Sequence, residues 1–547
     1  MQIALVFFVV SPAIADKLAD NTTEKAAVPV RGWILSVYDM PYLRETIKKA
    51  PSYGINHIQL SHDIVHHADQ IISNKELCKD INELVNLGKS LGLKMFVWTH
   101  ELRVVPRRFM VGVNNRVDLD NELMWDWLAD RYVKLYELVP QLDGVVVSLD
   151  ETGRAALTSD DGVTSVMQRQ LRIKKLAEVL DKVHSKRGKQ VIIRDFGESL
   201  WTRQGIKISP ENVWAMTKVI FGDWQPYCER SITYDYYDNR PLCVEFDLCG
   251  EYMGNAVLPW PEPEYVKLCF DQARNKATNP VGYVARIDRT ELWRFKRRTF
   301  GTPNEINIEM FCRLMQDPKT DPDVVWKEWT AKTYGAQAAP YVEKALRRTA
   351  KATKTLYWGE RLGDYRIQQH SFIPTFRYAL DHDKDYMQTY AVDSEMFLLK
   401  PALLEEEMDR RYDTIIIPAF QDALEDIKPA AEYLKPDVYA DLKQRFEMSL
   451  AAGRAFKAVH TAFIRHQVIA FGLKHNKTYK DAVAFHKAKI DSDLAALEKA
   501  AIDVETNFGD RLDLTSSARL RKFAADLKAS YEKMLAGRST AAQAKAA

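Results

Sequence analysis

Charged and polar side chains follow a series of short apolar segments in the first half of the chain. These residues are Asp39, His62, Asp63, His100, Glu101, Asp150, Glu151, Arg194, Asp195, Lys218, Asp223, Glu245, Asp247, Glu251, Arg286 and Asp288. When two carboxyl groups face one glycosidic bond, one protonates the leaving oxygen and the other activates water or attacks the anomeric carbon. A set of carboxylates and cations around one site therefore predicts glycoside hydrolysis.

The adjacent acids Asp150 and Glu151 are the strongest candidates in this set. They close an uninterrupted apolar segment with three consecutive valines at 145–147. Burial and mutual repulsion at such a position raise the pKa of at least one of the two carboxyl groups. We predict Glu151 as a catalytic residue, with Asp150 as its alternative. An isolated acid such as Asp39 more often caps a helix, so capping is the leading interpretation for this candidate substrate-binding residue.

Aromatic residues accompany the polar positions, among them Trp98, Trp224 and Tyr252. Flat faces of sugar rings pack well on aromatic side chains, so we predict these three as substrate-binding residues. Packing in the protein core is the alternative for each of them.

Histidines and cysteines show no metal-binding pattern. His62, His66 and His67 occur without an H-E-x-x-H motif, and the six cysteines include no C-x-x-C pair. We therefore predict neither a metal nor any other cofactor. Lys and Arg (77) nearly balance Asp and Glu (75), which gives no reason to expect a nucleic-acid partner.

The elements that must position these groups alternate along residues 31–302. Short β-branched or aromatic segments precede polar residues and then a longer stretch with helical periodicity. The candidate strands are Gly32–Tyr38, His57–Ser61, Met95–Thr99, Gly144–Leu149, Gln190–Asp195, Val213–Lys218, Leu242–Asp247 and Val281–Ile287. This pattern predicts an α/β fold, a (β/α)8 barrel with its active site at the C-terminal ends of the strands. An open doubly wound sheet is the alternative, but no G-x-G-x-x-G or phosphate-binding loop follows any strand.

Strand patterns are missing beyond Thr302, and residues 303–536 predict an all-helical C-terminal domain. Long amphipathic stretches at Asp321–Thr333, Ala339–Ala352 and Pro429–Phe463 illustrate the pattern. Residues 537–547 are rich in alanine and have no apolar stripe, which predicts a flexible tail.

Residues 1–15 are apolar and end in Ala-Ile-Ala, the pattern of a secretory signal peptide. A buried N-terminal strand is the alternative. Export implies a secreted or periplasmic protein, in which Cys228 can pair with Cys243 or Cys249; buried free thiols are equally consistent with the sequence. No later apolar run approaches the roughly 20 residues that span a bilayer, so no membrane span is predicted.

Several linked segments distantly resemble the α-glucuronidases of glycoside hydrolase family 67. VIIRDF contains Arg194, TKVIFGDWQ contains Lys218 and Asp223, and VEFDLCGEYMG contains Glu251. The segment INIEMFCRLMQDPKTDPDVVWKEWTAKTYG resembles the family's passage from barrel to helical domain. The likeness covers the second half of the barrel and its exit, and the family's N-terminal β-rich domain has no counterpart ahead of the first predicted strand.

The resemblance implies an inverting hydrolase. Glu151 corresponds to the acid, and Asp223 and Glu251 correspond to the carboxylates that position and deprotonate water. Such an acid and base lie roughly 6.5–9.5 Å apart. Arg194 and Lys218 correspond to the residues that bind a substrate carboxylate, which implies an acidic, uronic-acid-type sugar. The family precedent is also consistent with a homodimer.

Three other functions stay open at this stage. An Asp-Glu pair at the end of strand four is also typical of β-N-acetylhexosaminidases, and a barrel-type sialidase is a second enzyme alternative. A secreted carbohydrate-binding protein with a decayed site is the third, because a fold alone does not establish catalysis.

Overall fold

The computed structural model describes residues 28–112, 116–149, 165–195, 200–219, 234, 236–237, 240–290, 296–358, 370–381, 394–475 and 478–543. Its eight main strands are β1 Val30–Leu35, β2 His57–Leu60, β3 Lys94–His100, β4 Gly144–Ser148, β5 Gln190–Asp195, β6 Trp214–Lys218, β7 Leu242–Asp247 and β8 Pro280–Arg286. Each strand pairs in parallel with its neighbour in sequence, and β8 closes the sheet on β1. The predicted (β/α)8 barrel is confirmed.

Side chains alternate between the inside of the barrel and the helices around it, because successive residues of a strand point to opposite faces. The inner layer contains Val30, Ile34, Phe96, Trp98, Val146, Ile192, Met216, Cys243 and Val284. Counting two residues onward from the inner apolar residues of β5 to β8 leads to Arg194, Lys218, Glu245 and Arg286. The inner layer therefore changes from apolar to charged at the C-terminal end of the barrel, which we call the mouth.

Seven helices pack around the barrel within the described ranges. They are α1 Met40–Lys49, α2 Ala68–Ser73, α3 Lys75–Ser90, α4 Glu122–Leu138, α5 Val166–Ser185, α6 Leu200–Lys207 and α7 Pro263–Lys276. Short 3-10 helices occur at Ala50–Tyr53 and Arg107–Phe109, and two-stranded hairpins pair Met110–Val111 with Arg116–Val117 and Asp288–Thr290 with Lys296–Arg298.

The region after the barrel is helical wherever the structure describes it, apart from its connecting segments. Its α-helices are α8 Glu305–Gln316, α9 Pro322–Tyr334, α10 Ala339–Trp358, α11 Phe376–Asp381, α12 Ser394–Leu399, α13 Leu403–Met408, α14 Ile417–Asp426, α15 Pro436–Lys474, α16 Lys480–Lys487, α17 Ile490–Asn507 and α18 Ser517–Gln543. A π-helix spans Asp409–Ile416, and 3-10 helices span Lys428–Glu432 and Gly509–Thr515. No helix among the described residues is long and apolar enough to cross a membrane.

The helix predicted at Pro429–Phe463 has different bounds in the structure. Pro429 belongs to the short 3-10 helix, and the long helix α15 begins at Pro436 after an extended Lys435. A proline lacks the N–H that a helix interior needs and disfavours helical backbone in the residue before it, so Pro436 starts a helix instead of continuing one. The backbone of α18 extends to Gln543, so that helix does not end at Gly537; the flexibility of the tail stays a prediction.

Helical residues pack directly on the loop after β7. Trp358, the last residue of α10, donates its indole N–H to the carbonyl oxygen of Tyr252 at 3.0 Å. Thr353 donates its hydroxyl to the carbonyl oxygen of Pro259 at 2.7 Å. The buried Arg411 donates to the carbonyl oxygens of Thr355 and Leu356 near the end of α10. The helical region therefore fixes one side of the mouth.

We expect Gly144→Ala to destabilise the barrel. Gly144 begins β4 opposite Gln190, and a Cβ atom there would overlap the carbonyl oxygen of Gln190 and lie 2.5 Å from Cε1 of Phe96. Overpacking of this kind costs about 1–3 kcal/mol of unfolding free energy, measured by denaturant titration. Gly453→Ala in α15 is the matched control, because its nearest contact is a side-chain methyl at 3.2 Å and alanine favours a helix. Equal stability of the two variants would contradict the expectation.

Candidate active site

A salt-bridge network occupies the mouth of the barrel. Arg194 donates from Nε and Nη2 to the two carboxylate oxygens of Glu245, at 2.5 and 3.0 Å. Arg286 donates from Nη2 to the same carboxylate at 3.3 Å. Burial raises the pKa of Glu245, but the positive charges of Arg194 and Arg286 outweigh it and hold that pKa below its ordinary value. Glu245 is therefore an ionised group that fixes two guanidinium groups in the mouth.

Glu251, in the loop after β7, carries a second buried carboxylate. Its Oε1 lies 2.7 Å from Nη2 of Arg289 and 2.7 Å from Nδ1 of His370, and its Oε2 lies 3.6 Å from Nη1 of Arg286. Burial alone would raise the pKa of Glu251. The charge of Arg289, the hydrogen bond with His370 and the charge of Arg286 outweigh burial, so the pKa lies well below its ordinary value. Glu251 is an acid that keeps its negative charge.

Asp247, the last residue of β7, behaves in the opposite way. Burial and the negative charge of Glu251 raise the pKa of Asp247, against the lowering effects of Arg286, Cys249 and a neighbouring lysine. The backbone N–H and the thiol of Cys249 both donate to Oδ1, at 3.2 and 3.0 Å. Two neighbouring carboxyl groups whose pKa values move apart are the arrangement that assigns different proton-transfer roles to similar side chains.

His370 and Ser371 reach this site from the segment between α10 and α11. The hydroxyl of Ser371 donates to the carbonyl oxygen of Glu251 at 2.8 Å and accepts from the backbone N–H of Gly254 at 2.9 Å. Both residues have left-handed backbone, with φ of 50° and 70°. Such conformations cost free energy in residues other than glycine and cluster at functional sites. The barrel and the helical region thus build the Glu251 site together.

The two predicted substrate-binding cations lie in the mouth. Lys218 ends β6 and is buried, and its charge lowers the pKa of Glu245 and of Asp247 as a smaller effect beside burial. Arg194 already holds Glu245, a partner that the sequence prediction did not assign. Contact of either cation with a substrate carboxylate stays a prediction.

Trp98 and Tyr252 both lie in packed surroundings. Trp98 is fully buried, donates its indole N–H to Oε1 of Gln59 at 2.8 Å, and has the guanidinium of Arg194 4.9 Å from its ring. Tyr252 is 2% exposed and stacks on His370 with ring centroids 5.1 Å apart. Trp98 belongs to the inner barrel layer and Tyr252 packs against the helical region, and contact of either ring with a sugar stays a prediction.

Asp39 follows the capping interpretation. Its Oδ1 accepts the backbone N–H of Tyr42 at 3.1 Å as the N-cap of α1, and its Oδ2 accepts from Arg298 at 2.7 Å and Lys296 at 3.4 Å. A carboxylate with these partners stabilises the helix start and one hairpin. Contact of Asp39 with a substrate stays a prediction.

Four predicted site residues, Asp150, Glu151, Asp223 and Trp224, lie outside the described residues. Their roles stay predictions. Of the predicted catalytic residues, Glu251 is the one that the structure describes.

Other acids at the strand ends have structural partners. Glu101 is fully buried and accepts hydrogen bonds from Arg131 and Tyr132. Asp195 accepts from Arg203 at 3.1 Å and from Tyr237 at 2.8 Å. These pairs tie the strand ends to neighbouring elements.

Asp288, just after β8, is a buried acid with a raised pKa. Its Oδ1 accepts the backbone N–H of Ser36 at 2.6 Å, and the buried Tyr42 lies beside the same carboxyl group. Burial raises the pKa of Asp288 to about 7, although Ser36 and Tyr42 act in the lowering direction. The folded protein therefore holds this proton over a pH range in which the unfolded chain, with an ordinary pKa of 3.8, has lost it.

We expect Asp288→Asn to change how stability depends on pH. A group whose pKa is raised by folding adds stability at low pH, and this contribution is lost as the pH rises from about 4 to about 7. The loss amounts to at most about 4 kcal/mol and should be absent in the asparagine variant. Denaturant unfolding at several pH values measures it. Parallel curves for wild type and Asp288→Asn would contradict this prediction.

No group of three or more His, Cys, Asp or Glu residues in the described part of the chain has a metal-binding arrangement. Cys243 and Cys249 are buried free thiols, which is the second alternative of the sequence prediction, while Cys228 lies outside the described residues.

Two solved structures of glycoside hydrolases are similar to this chain. A glycoside hydrolase of family 138, described as targeting pectin rhamnogalacturonan II, is similar with a TM-score of 0.60 and 10% identity, over 93% of this chain and 69% of that one. The likeness shows a shared fold. A variant of an O-GlcNAc hydrolase from Thermobaculum terrenum matches with a TM-score of 0.46 and 12% identity, over 94% and 97% of the two chains. No protein-family model matches the sequence, and no curated protein matches it.

Proposed function

We propose that this protein is a glycoside hydrolase that acts on an acidic sugar. One observation carries the proposal: Asp247 and Glu251 are buried together in the mouth of a (β/α)8 barrel, with pKa values displaced in opposite directions. Hydrolysis of a glycosidic bond needs carboxyl groups with different protonation behaviour at one site. The shared fold with a family-138 glycoside hydrolase supports the same class of reaction.

Glu251 and Asp247 have different roles in the attack of water on the anomeric carbon. Glu251, whose pKa is lowered, stays ionised, orients the attacking water and stabilises positive charge on the sugar ring. Asp247, whose pKa is raised, accepts the proton of that water, because a base with a pKa nearer the working pH transfers protons more effectively. The acid that protonates the leaving oxygen is Glu151 or Asp150, as the sequence predicts, with Asp223 as a further carboxylate. Direct attack by water inverts the configuration of the anomeric carbon.

The cations of the mouth support an acidic substrate. Arg194, Lys218, Arg286 and Arg289 all lie near Glu245, Asp247 or Glu251. Guanidinium groups match carboxylates in geometry, and lysine adds a point charge. A uronic-acid-type sugar is therefore the substrate class that we propose, as in the α-glucuronidase resemblance. Export rests on the signal-like segment 1–15, and a homodimer rests on the family precedent alone.

The proposal is tested by a panel of aryl glycosides, with proton NMR of the first-formed sugar. We expect release of the aryl group from a uronide, with inversion at the anomeric carbon. Cleavage restricted to a 2-acetamido sugar with retention would favour the hexosaminidase alternative, and cleavage restricted to a sialoside would favour the sialidase. Binding of acidic oligosaccharides without any cleavage would leave a carbohydrate-binding protein and overturn the proposal.

A further inference from the structure

An open groove lies beside the mouth, between the loops that follow β1, β2 and β3. Its volume is about 680 Å³, within the range of small-molecule sites. The lining residues are Tyr38, His62, Asp63, His66, His67, Gln70 and Arg103. We call it the histidine groove.

The histidine groove borders the mouth. The ring of His62 lies 5.4 Å from the ring of Trp98 and 5.7 Å from that of His100, measured between centroids. Trp98 in turn contacts the guanidinium of Arg194, which belongs to the network around Glu245. The groove and the cations of the mouth are therefore neighbours on the two sides of the buried Trp98.

The groove wall is preorganised. His66 stacks on His100 with centroids 3.9 Å apart and an interplanar angle of 17°. The backbone N–H of His100 donates to the carbonyl oxygen of His66 at 2.8 Å. His62 has a left-handed backbone, with φ of 51°, and its Nδ1 lies 2.6 Å from the hydroxyl of Ser61. Rings that neighbouring groups already hold in place lose less freedom when a ligand binds.

Arg103 is the one arginine or lysine among the lining residues of the groove. Arg103 is exposed at its edge and contacts Nε2 of His66. Asp63 is the one carboxylate among the lining residues. The nearby Asp69 and Glu101 are both paired with Arg131, so their charges are compensated.

We propose that the histidine groove binds the second sugar unit of the substrate and that this unit carries a negative charge. Arg103 contacts the anionic substituent, while His62, His66 and Gln70 hydrogen-bond the hydroxyl groups. This assignment rests on the proposed function, since the first sugar unit occupies the mouth.

The test compares Arg103→Ala with Arg107→Ala, which removes another exposed arginine of the same segment that does not line the groove. Three substrates are used: an aryl uronide, a disaccharide with a uronate as second unit, and the same disaccharide with that carboxylate reduced to an alcohol. We expect Arg103→Ala to lower kcat/KM at least about tenfold on the anionic disaccharide alone, as for a lost charged hydrogen bond. Arg107→Ala should match wild type on all three.

The outcomes separate the two proposals. If wild type cleaves the uronides and Arg103→Ala matches Arg107→Ala on every substrate, the histidine groove does not bind an anionic unit, although the proposed function stands. If Arg103→Ala lowers kcat/KM equally on the aryl uronide and on the disaccharides, the residue affects the first sugar unit in the mouth, and the groove assignment is wrong. If wild type cleaves neither class of uronide, both proposals fail.

Discussion

Replacement of Glu251 by glutamine is expected to lower kcat about 10²–10⁴-fold with little change in the shape of the site. The variant keeps the size of the side chain but removes the negative charge that Arg286, Arg289 and His370 hold in place. Without that charge, the attacking water loses its orientation and the positive charge of the transition state loses its stabilisation. Steady-state kinetics on an aryl uronide gives the measurement.

Loss of a buried charge also affects folding, so the variant needs a matched control. Removing one partner of a buried ion pair costs roughly 3–5 kcal/mol of stability. Glu101→Gln removes a carboxylate that is equally buried at the end of β3 but bound to Arg131 and Tyr132. We expect both variants to lose stability in denaturant unfolding and only Glu251→Gln to lose kcat. Equal kcat in both variants would remove Glu251 from the mechanism.

Asp247→Asn is expected to lower kcat by a similar factor of about 10²–10⁴, because an amide cannot accept the proton of the attacking water. The pH profile adds a second readout. A general base works when ionised, so the activity of the wild type should fall as the pH drops through the Asp247 pKa, which burial and Glu251 raise above 3.8. The residual activity of the asparagine variant should not show this fall at low pH, the acidic limb of the profile.

The control for Asp247 is Asp195→Asn at the end of β5. Asp195 is also buried, and its carboxylate is bound by Arg203 and Tyr237. We expect this variant to lose stability and to keep the wild-type acidic limb. If the activity of Asp247→Asn still falls at low pH as in the wild type, the base is another residue, and Asp223 is the next candidate.

The barrel was predictable because its strands are buried on both faces. Gln190–Asp195 and Leu242–Asp247 match the predicted strands at both ends, since parallel strands form continuous apolar segments that polar residues close. Helix ends were harder to predict, as the start of α15 shows. Amphipathic periodicity continues from Pro429 across Pro436, whereas the missing N–H of Pro436 decides where the long helix begins.

Part of the site was not predictable from the sequence, for two physical reasons. Glu245, Asp247 and Arg286 are among the strand-end candidates, but the strand pattern does not say which side chains point into the barrel. The structure decides this, because Cys243 and Val284 lie in the inner layer and alternate residues of a strand share a face. His370 carries no such periodic signal. It meets Glu251 across 119 residues, through a left-handed turn beyond α10, and only packing of the helical region on the barrel brings the two together.

The most direct test of the central claim compares two substrates of the wild-type protein: an aryl uronide and the same glycoside with its carboxylate reduced to an alcohol. The quantity measured is the ratio of their kcat/KM values. The claim requires carboxylates that hydrolyse the bond and cations that select an acidic sugar. We expect a ratio of at least about ten, as for one charged hydrogen bond to the sugar carboxylate. A ratio of one or less, or hydrolysis of neither sugar, would contradict an acidic-sugar hydrolase at this mouth.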